Sequence, residues 1–283
     1  MRAKFVAEVS SNHNSDLERS KEFIRVAAAT GCQAVKFQLF KLNQLFAPEA
    51  ITANPSLKER EQWELPLDFI PVLSGLAHTS GLEFSCTPFY LDAVDELQPY
   101  VDFYKIASYE LLWNDLLVKV AAMKKPVVLS TGMAEMHEIA GAVEMLRKSG
   151  CTDLTLLQCV SGYPTPVDEA NLSVIQTLRE KFRCRAGWSD HSVSPAVIYR
   201  AIHKWDASMV EFHLDLEGKG KEFETGHCWL PGEIREVIST IRNGSLADGS
   251  GEKKPAPSEL PDRAWRADPT DGLRPLKETR NTL

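Results

Sequence analysis

The chain has 283 residues, 43% hydrophobic and 25% charged, and 32 Lys and Arg against 39 Asp and Glu leave a net charge of −7. Such a composition supports a sizeable core and excludes both a small disulfide scaffold and a wholly disordered chain. The acidic balance argues against a nucleic-acid backbone or an anionic membrane surface as the main partner.

In chain order, the N-terminus runs from MRAK straight into short alternating apolar residues. It holds no apolar run long enough for a signal-peptide core or a membrane span, which reads as a cytoplasmic protein. Six cysteines (Cys32, Cys86, Cys151, Cys159, Cys184, Cys228) are scattered without a CxxC pair, as in a reducing compartment. Eight runs rich in β-branched or aromatic residues predict strands at 4–10, 34–40, 82–89, 103–108, 126–131, 154–159, 184–190 and 209–214. Between them lie helical segments such as DLERSKEFIRVAAATG and AEMHEIAGAVEMLRKSG, each ending in a glycine suited to a helix C-terminus. Eight such βα units predict an α/β fold, a (β/α)8 TIM barrel, over residues 1–244. The alternative, an open doubly wound sheet, usually carries a glycine-rich turn after its first strand; SSNHNS stands there instead.

Two stretches interrupt the rhythm. The connection from Lys41 to Pro66 is long, and after the second strand of a barrel it belongs on the catalytic face. Residues 245–283 turn rich in Pro, Gly and charge, first as a linker and then, around Trp265 and Leu273, as an extended tail expected to dock on the barrel or on a partner subunit.

In a barrel, catalytic groups gather where the strands end. Those ends carry Glu8, Lys36, Gln38, Thr87, Lys105, Ser108, Glu110, Ser130, Thr131, Ser161, Tyr163, Ser189, Asp190, His191, Glu211 and His213. Lys36 and Lys105 each interrupt an apolar strand, where an ammonium needs a partner. One reading pairs each with a barrel carboxylate. The other makes them, with Ser108, Ser130, Thr131 and the backbone N–H groups of the STGM turn, a cradle for phosphate and carboxylate. His191 and His213 end neighbouring strands, and two imidazoles so placed can share a divalent ion; the bland reading of each is a satisfied structural histidine. Glu8 and Glu110 are acid/base candidates or simple charge balance. Asn12, His13, Tyr163 and His227 fall in βα loops as substrate contacts or loop braces, and Cys228 reads as structural.

Taken together, AEVSSNHN, VKFQLF, EFSCTPFY, YKIASYE, VLSTGMAE, SGYPTP (followed by Asn171 and Leu172), GWSDHS and EFHLDL make the chain resemble the sialic acid (N-acetylneuraminate) synthases and their relatives that make other nonulosonic acids. The resemblance covers nearly all of residues 3–240. It implies condensation of phosphoenolpyruvate with an N-acetylmannosamine-like amino-sugar aldose, giving a 3-deoxy-2-keto acid and phosphate. It implies a divalent metal, typically Mn2+ with Mg2+ or Co2+ as alternatives, on His191 and His213. Phosphoenolpyruvate ligands carry over to Lys36, Thr87, Lys105, Ser108, Ser130 and Ser189, whereas Glu8, Gln38, Glu110 and Tyr163 match positions facing the sugar or the reacting centre. Glu211 and His227 join the substrate-binding set, and Glu8, Glu110 and Lys105 the catalytic one.

Three departures stand out. The family's strand-six Asn is Ser161 here. Its acidic residue before the last-loop histidine is Gly226, with Glu224 nearby as the expected substitute. The family's C-terminal antifreeze-like domain, which supplies an Arg to the partner subunit, is not expected in this sequence, so either Arg266 or Arg274 of the tail takes that role, in cis or across a homodimer, or the sugar site is open and different. The competing functions are a metal-dependent aldolase or epimerase acting on a sugar phosphate, and a non-catalytic ligand-binding barrel.

Overall fold

Alternation of side chains about a strand gives each apolar run two faces to bury, and a closed barrel buries both. The computed structural model describes residues 3–282. In it the eight runs form β1 (Lys4–Glu8), β2 (Ala34–Leu39), β3 (Glu83–Pro88), β4 (Phe103–Ile106), β5 (Val127–Ser130), β6 (Leu154–Cys159), β7 (Arg185–Asp190) and β8 (Met209–Leu214). Each pairs in parallel with the next, and β8 pairs with β1, in the register Val6 to Glu211 and Glu8 to His213, so the sheet closes as an eight-stranded barrel. A short ninth strand, β9 (Cys228–Trp229), which the sequence does not announce, lies parallel to β8 with His213 beside Cys228. The expected strands at 4–10 and 103–108 end early, at Glu8 and Ile106: Ser10 takes a left-handed φ of 50°, and Ser108 opens a helical turn.

Helices α1 (Leu17–Thr30), α2 (Leu42–Leu45), α3 (Pro48–Ala53), α4 (Phe69–Thr79), α5 (Leu91–Leu97), α6 (Asn114–Ala122), α7 (Met136–Lys148), α8 (Val174–Phe182), α9 (Pro195–His203), α10 (Lys221–Glu224) and α11 (Pro231–Ala247) fill the connections. The ends of α1 fall where its sequence places them: the Asp16 carboxylate accepts from the Arg19 N–H, and Gly31, at φ 93°, returns its N–H to the last carbonyls. The long connection between β2 and α4 is built from α2, α3 and a 3-10 turn at Pro55–Trp63. Ser15, in the loop after β1, donates to the Gln62 and Glu64 carbonyls, and Lys221 of α10 reaches Glu59 at 3.4 Å, so this connection does sit on the C-terminal face of the barrel. Among the described residues no helix is long and apolar enough to cross a membrane.

Two apolar layers result. The larger lies between sheet and helices. The smaller is a plug inside the barrel, made of Val6, Ala34, Phe103, Val128, Leu157 and Met209. Gly187 of β7 belongs at this level because a Cβ there would collide with the Met209 carbonyl oxygen and come 2.9 Å from Leu157 Cδ2. Gly187→Ala is therefore expected to destabilise the fold by about 1–3 kcal/mol through overpacking; an unchanged urea midpoint would show that β7 and β8 can separate at no cost.

The chain divides into two compact units, the first ending at Arg242 and the second beginning at Asn243. The second unit winds through 3-10 turns at Pro257–Glu259 and Arg263–Trp265 into α12 (Lys277–Arg280). Its fold is organised by Asp268, whose carboxylate accepts from Thr270 and from the Lys277 N–H, and by the Asp271–Arg280 pair at 2.8 Å. Arg266 donates to the Arg263 carbonyl within this unit.

Candidate active site

Two residues beyond the plug on seven of the eight strands, the same inward face turns polar. Val6 leads to Glu8, Ala34 to Lys36, Phe103 to Lys105, Val128 to Ser130, Leu157 to Cys159, Gly187 to Ser189 and Met209 to Glu211, all buried. Strand alternation thus stacks a ring of ionisable and hydroxyl groups on an apolar floor, at the barrel's C-terminal end.

Both lysines have carboxylate partners. Lys36 is ion-paired with Glu8 and lies 3.7 Å from Glu211, and Lys105 lies 3.3 Å from the same Glu211 oxygen. Burial pulls the Lys36 ammonium down to about 8 against the pull of Glu211, with Lys105 adding to the drop. Burial opposes the charge on Glu211, but Lys105 and Lys36 together hold it below the usual carboxylate range. Glu110 goes the other way: burial lifts it to about 7, only partly offset by Lys105 and Lys36. Thr87 accepts from Lys36 at 3.1 Å, and Gln38 donates to Glu8 and Ser10 at 3.2 and 3.1 Å, so these two position the charged groups.

Beside the lysines is a pocket of hydroxyls. Gly132, after β5, donates its N–H to Ser108 Oγ at 3.0 Å, and any Cβ there would collide with Ser161 Oγ. The Cys159 thiol, raised by burial, lies against the hydroxyls of Ser108 and Ser189. Ser130 Oγ, Ser161 Oγ and Glu110 Oε2 are buried and have no hydrogen-bond partner among the described residues. Buried polar atoms left unpaired at the C-terminal end of a barrel call for an explanation, and a polar ligand supplies one. The STGM turn contributes less than its sequence suggests: the Thr131 hydroxyl and N–H are both spent on the Leu157 carbonyl, and the Gly132 N–H is spent on Ser108.

The histidines form one cluster with Tyr163. Ring centroids of His213 and His227 are 4.8 Å apart, His191 and His213 5.3 Å, and Tyr163 stacks on His191 at 4.2 Å. Each imidazole has its Nδ1 engaged. His213 Nδ1 meets Glu222 Oε2 at 2.9 Å, His191 Nδ1 meets the Val160 carbonyl at 2.8 Å, and His227 Nδ1 meets Thr225 Oγ1 at 2.7 Å. The Thr225 hydroxyl proton goes to the Glu222 carbonyl, so its oxygen accepts from His227. Carbonyl and carboxylate acceptors make the Nδ1 atoms of His191 and His213 the protonated ones and leave their Nε2 lone pairs free, while His227 Nε2 lies 3.7 Å from Glu222 Oε2. Burial, reinforced by His213, drops His191 to about 3 and keeps it neutral.

His213, Glu222, His227 and Cys228 bring their donor atoms within 4.8 Å of one another. Two neutral imidazoles and a carboxylate are the donor set of a divalent transition metal, and this cluster fits one. Cys228 is the poorest of the four, since burial raises its thiol and Asn12 donates to it. The expected pair, His191 and His213, has ring centroids 5.3 Å apart, and the geometry brings His227 and Glu222 beside His213 as further candidate donors. Glu224 is exposed; the acidic group near Gly226 is Glu222, which also accepts from the hydroxyls of Ser10 and Ser11 at 2.6 Å. Glu222 hides from sequence reading in a polar loop, KGKEFE, where nothing local separates it from Glu224; only the one-turn helix α10 turns it inward. Asp190 is structural, accepting from the indoles of Trp188 and Trp229. Asn12 and His13 brace loops, through the Leu214 carbonyl and the Ser15 N–H.

Comparison with known proteins places the chain in a family. Residues 23–253 match the NeuB family. An uncharacterized protein of Methanocaldococcus jannaschii is 36% identical over 90% of this chain and 74% of its own length. The N,N'-diacetyllegionaminic acid synthase of Legionella pneumophila is 33% identical over 92% of this chain and 77% of its own length. Among solved structures, an N-acetylneuraminic acid (sialic acid) synthetase from Leptospira borgpetersenii, in complex with citrate, superposes with a TM-score of 0.81 at 27% identity, covering 100% of this chain and 93% of that one.

Proposed function

Because the chain belongs to the NeuB family of enzymes, we propose that it condenses phosphoenolpyruvate with an N-acetylmannosamine-like aldose to give a nonulosonic acid and phosphate. The observation that carries this reading is the juxtaposition in one barrel mouth of two buried lysines, unpaired hydroxyls and an imidazole–carboxylate cluster. The first two suit a small, multiply charged anion; the third suits a divalent ion that polarises the sugar aldehyde.

In the proposed reaction C3 of the enol attacks the aldehyde carbon, and the aldehyde oxygen takes up a proton. Water adds to C2 and gives its proton to a carboxylate. The tetrahedral C2 then expels phosphate and loses its hydroxyl proton, leaving the keto acid. Lys36, Lys105, Ser108, Ser130, Ser161 and Ser189 hold the phosphate and carboxylate, with Thr87 and Gln38 keeping Lys36 and Glu8 in place. Glu110 is better suited than Glu8 to receive the water proton. Glu8 is tied to Lys36, whereas Glu110 is lifted to about 7, where a carboxylate exchanges protons readily near neutrality. His213 and His227 would hold the metal with Glu222, His191 standing beside them; Tyr163, stacked on His191, and Glu211 complete the wall.

The test is inorganic phosphate release from phosphoenolpyruvate with Mn2+ and a panel of aldoses that includes N-acetylmannosamine. Sugar-dependent release abolished by EDTA supports the reading. Cleavage of a sugar phosphate without phosphate release would replace it with an aldolase. The two shifted groups also set the pH profile. Glu110 must be ionised to accept a proton, so activity rises as pH passes about 7. Lys36 must be charged to hold the anion, so activity falls as pH passes about 8. A narrow bell is expected, and Glu110→Gln should remove its acid limb along with most turnover; an acid limb that survives in Glu110→Gln would transfer the base role to Glu8.

A further inference from the structure

At the opposite pole of the barrel, where β6 and β7 begin, a cavity of about 350 Å³ is lined by Arg147, Arg183, Arg185, Asp153 and Cys184 among others. Three guanidinium groups face a single carboxylate there, in a chain whose overall charge is −7. Part of this charge has structural work. Arg147 donates to the Phe182 carbonyl at the end of α8, and Arg185 holds Asp153 and the Thr155 hydroxyl.

Arg183 has no such duty. Its solvent-exposed side chain makes no hydrogen bond or ion pair among the described residues. It nevertheless occupies the left-handed position that ends α8, at φ 49° and ψ 50°, where a glycine would sit without strain. An adjoining cavity of about 340 Å³ shares Asp153 and Arg185 and has Phe103, Val128 and Met209 in its wall, leaving room for an apolar substituent.

We propose that this pole is a second binding site, for a phosphate group, with Arg183 as its main ligand and Arg147 and Arg185 contributing their remaining N–H donors. Guanidinium groups are suited to phosphate because their forked donors match its oxygens in pairs. The phosphate can be the free ion or an ester whose organic part enters the adjoining cavity, and the test separates the two.

Cys184 gives a readout local to the site, since its half-buried thiol lines the cavity and lies in the field of Arg147 and Arg185. The experiment is alkylation of the full chain by iodoacetamide, followed at Cys184 by peptide mass spectrometry, in sodium chloride, inorganic phosphate or phenyl phosphate at one ionic strength. The expected result is at least tenfold protection of Cys184 by one or both phosphate probes relative to chloride, lost in Arg183→Gly. That variant removes the guanidinium and relaxes the backbone, so its loss of protection does not reflect misfolding. Protection by inorganic phosphate identifies the free ion as sufficient; protection by phenyl phosphate alone identifies an ester. Equal alkylation in all three salts, or protection that persists in Arg183→Gly, would overturn the proposal.

Discussion

His227→Ala is expected to lower sugar-dependent phosphate release by about 10³-fold, the loss of roughly 4 kcal/mol of transition-state stabilisation that a misplaced catalytic metal entails. The expectation follows from the tautomers. Glu222 fixes the His213 proton on Nδ1, Thr225 orients the His227 ring, and the two ring centroids are 4.8 Å apart, so the donors are gathered before any metal arrives. Mn2+ affinity, read from the electron paramagnetic resonance signal of the free ion, should fall with activity in His227→Ala and His213→Ala. Glu222→Gln should weaken the metal by about 10- to 100-fold, because the Glu222 carboxylate is both one of the proposed donors and the group that orients His213 through Nδ1. His191→Ala discriminates between the two pairings. If it abolishes Mn2+ binding while His227→Ala leaves it intact, the metal sits on His191 and His213 and the present assignment fails.

Lys36→Met should be the most destabilising single change in the mouth, by about 3–5 kcal/mol, because it strands the buried Glu8 carboxylate without its partner. Glu8 is 1% exposed and Lys36 3%, so water cannot take the partner's place. Glu211 suffers less, since Lys105 remains 3.3 Å away. Replacing both members, as in Glu8→Gln with Lys36→Met, should recover most of the lost stability in a urea titration. The double variant should still release no phosphate, because the anion-holding ammonium is gone. Recovery of both stability and turnover would mean that Lys36 serves only to balance charge, the bland alternative for a buried barrel lysine.

These two cases mark different degrees of legibility. Lys36 and Lys105 are visible in sequence because each breaks an apolar β run, and a buried ammonium always demands an explanation. That their partners are Glu8 and Glu211 is also nearly readable, since the polar residues recur two positions after the apolar ones on successive strands. The metal cluster is less so. SDH is a compact motif and draws attention to His191, whereas His227 lies in a loop and Glu222 in a polar segment with an acidic neighbour on the same short helix. The approach of His227 to His213 accompanies β9, a two-residue strand with no local signature that places Cys228 beside His213.

The sequence by itself determined the barrel, its strand order and the identity of the ring of ionisable groups. These follow from periodicity: residues two apart on a strand share a face, so an apolar plug and a polar ring above it are written directly into eight short runs. What only the tertiary structure decided were the pairings across the mouth. The approach of Glu222 and His227 to His213, and the spending of Thr131 on a backbone carbonyl, depend on where loops from distant strands meet. Loop direction is set by a few dihedral angles and by long-range hydrogen bonds such as those from Ser10 and Ser11 to Glu222, more than two hundred residues away, and no local pattern encodes them.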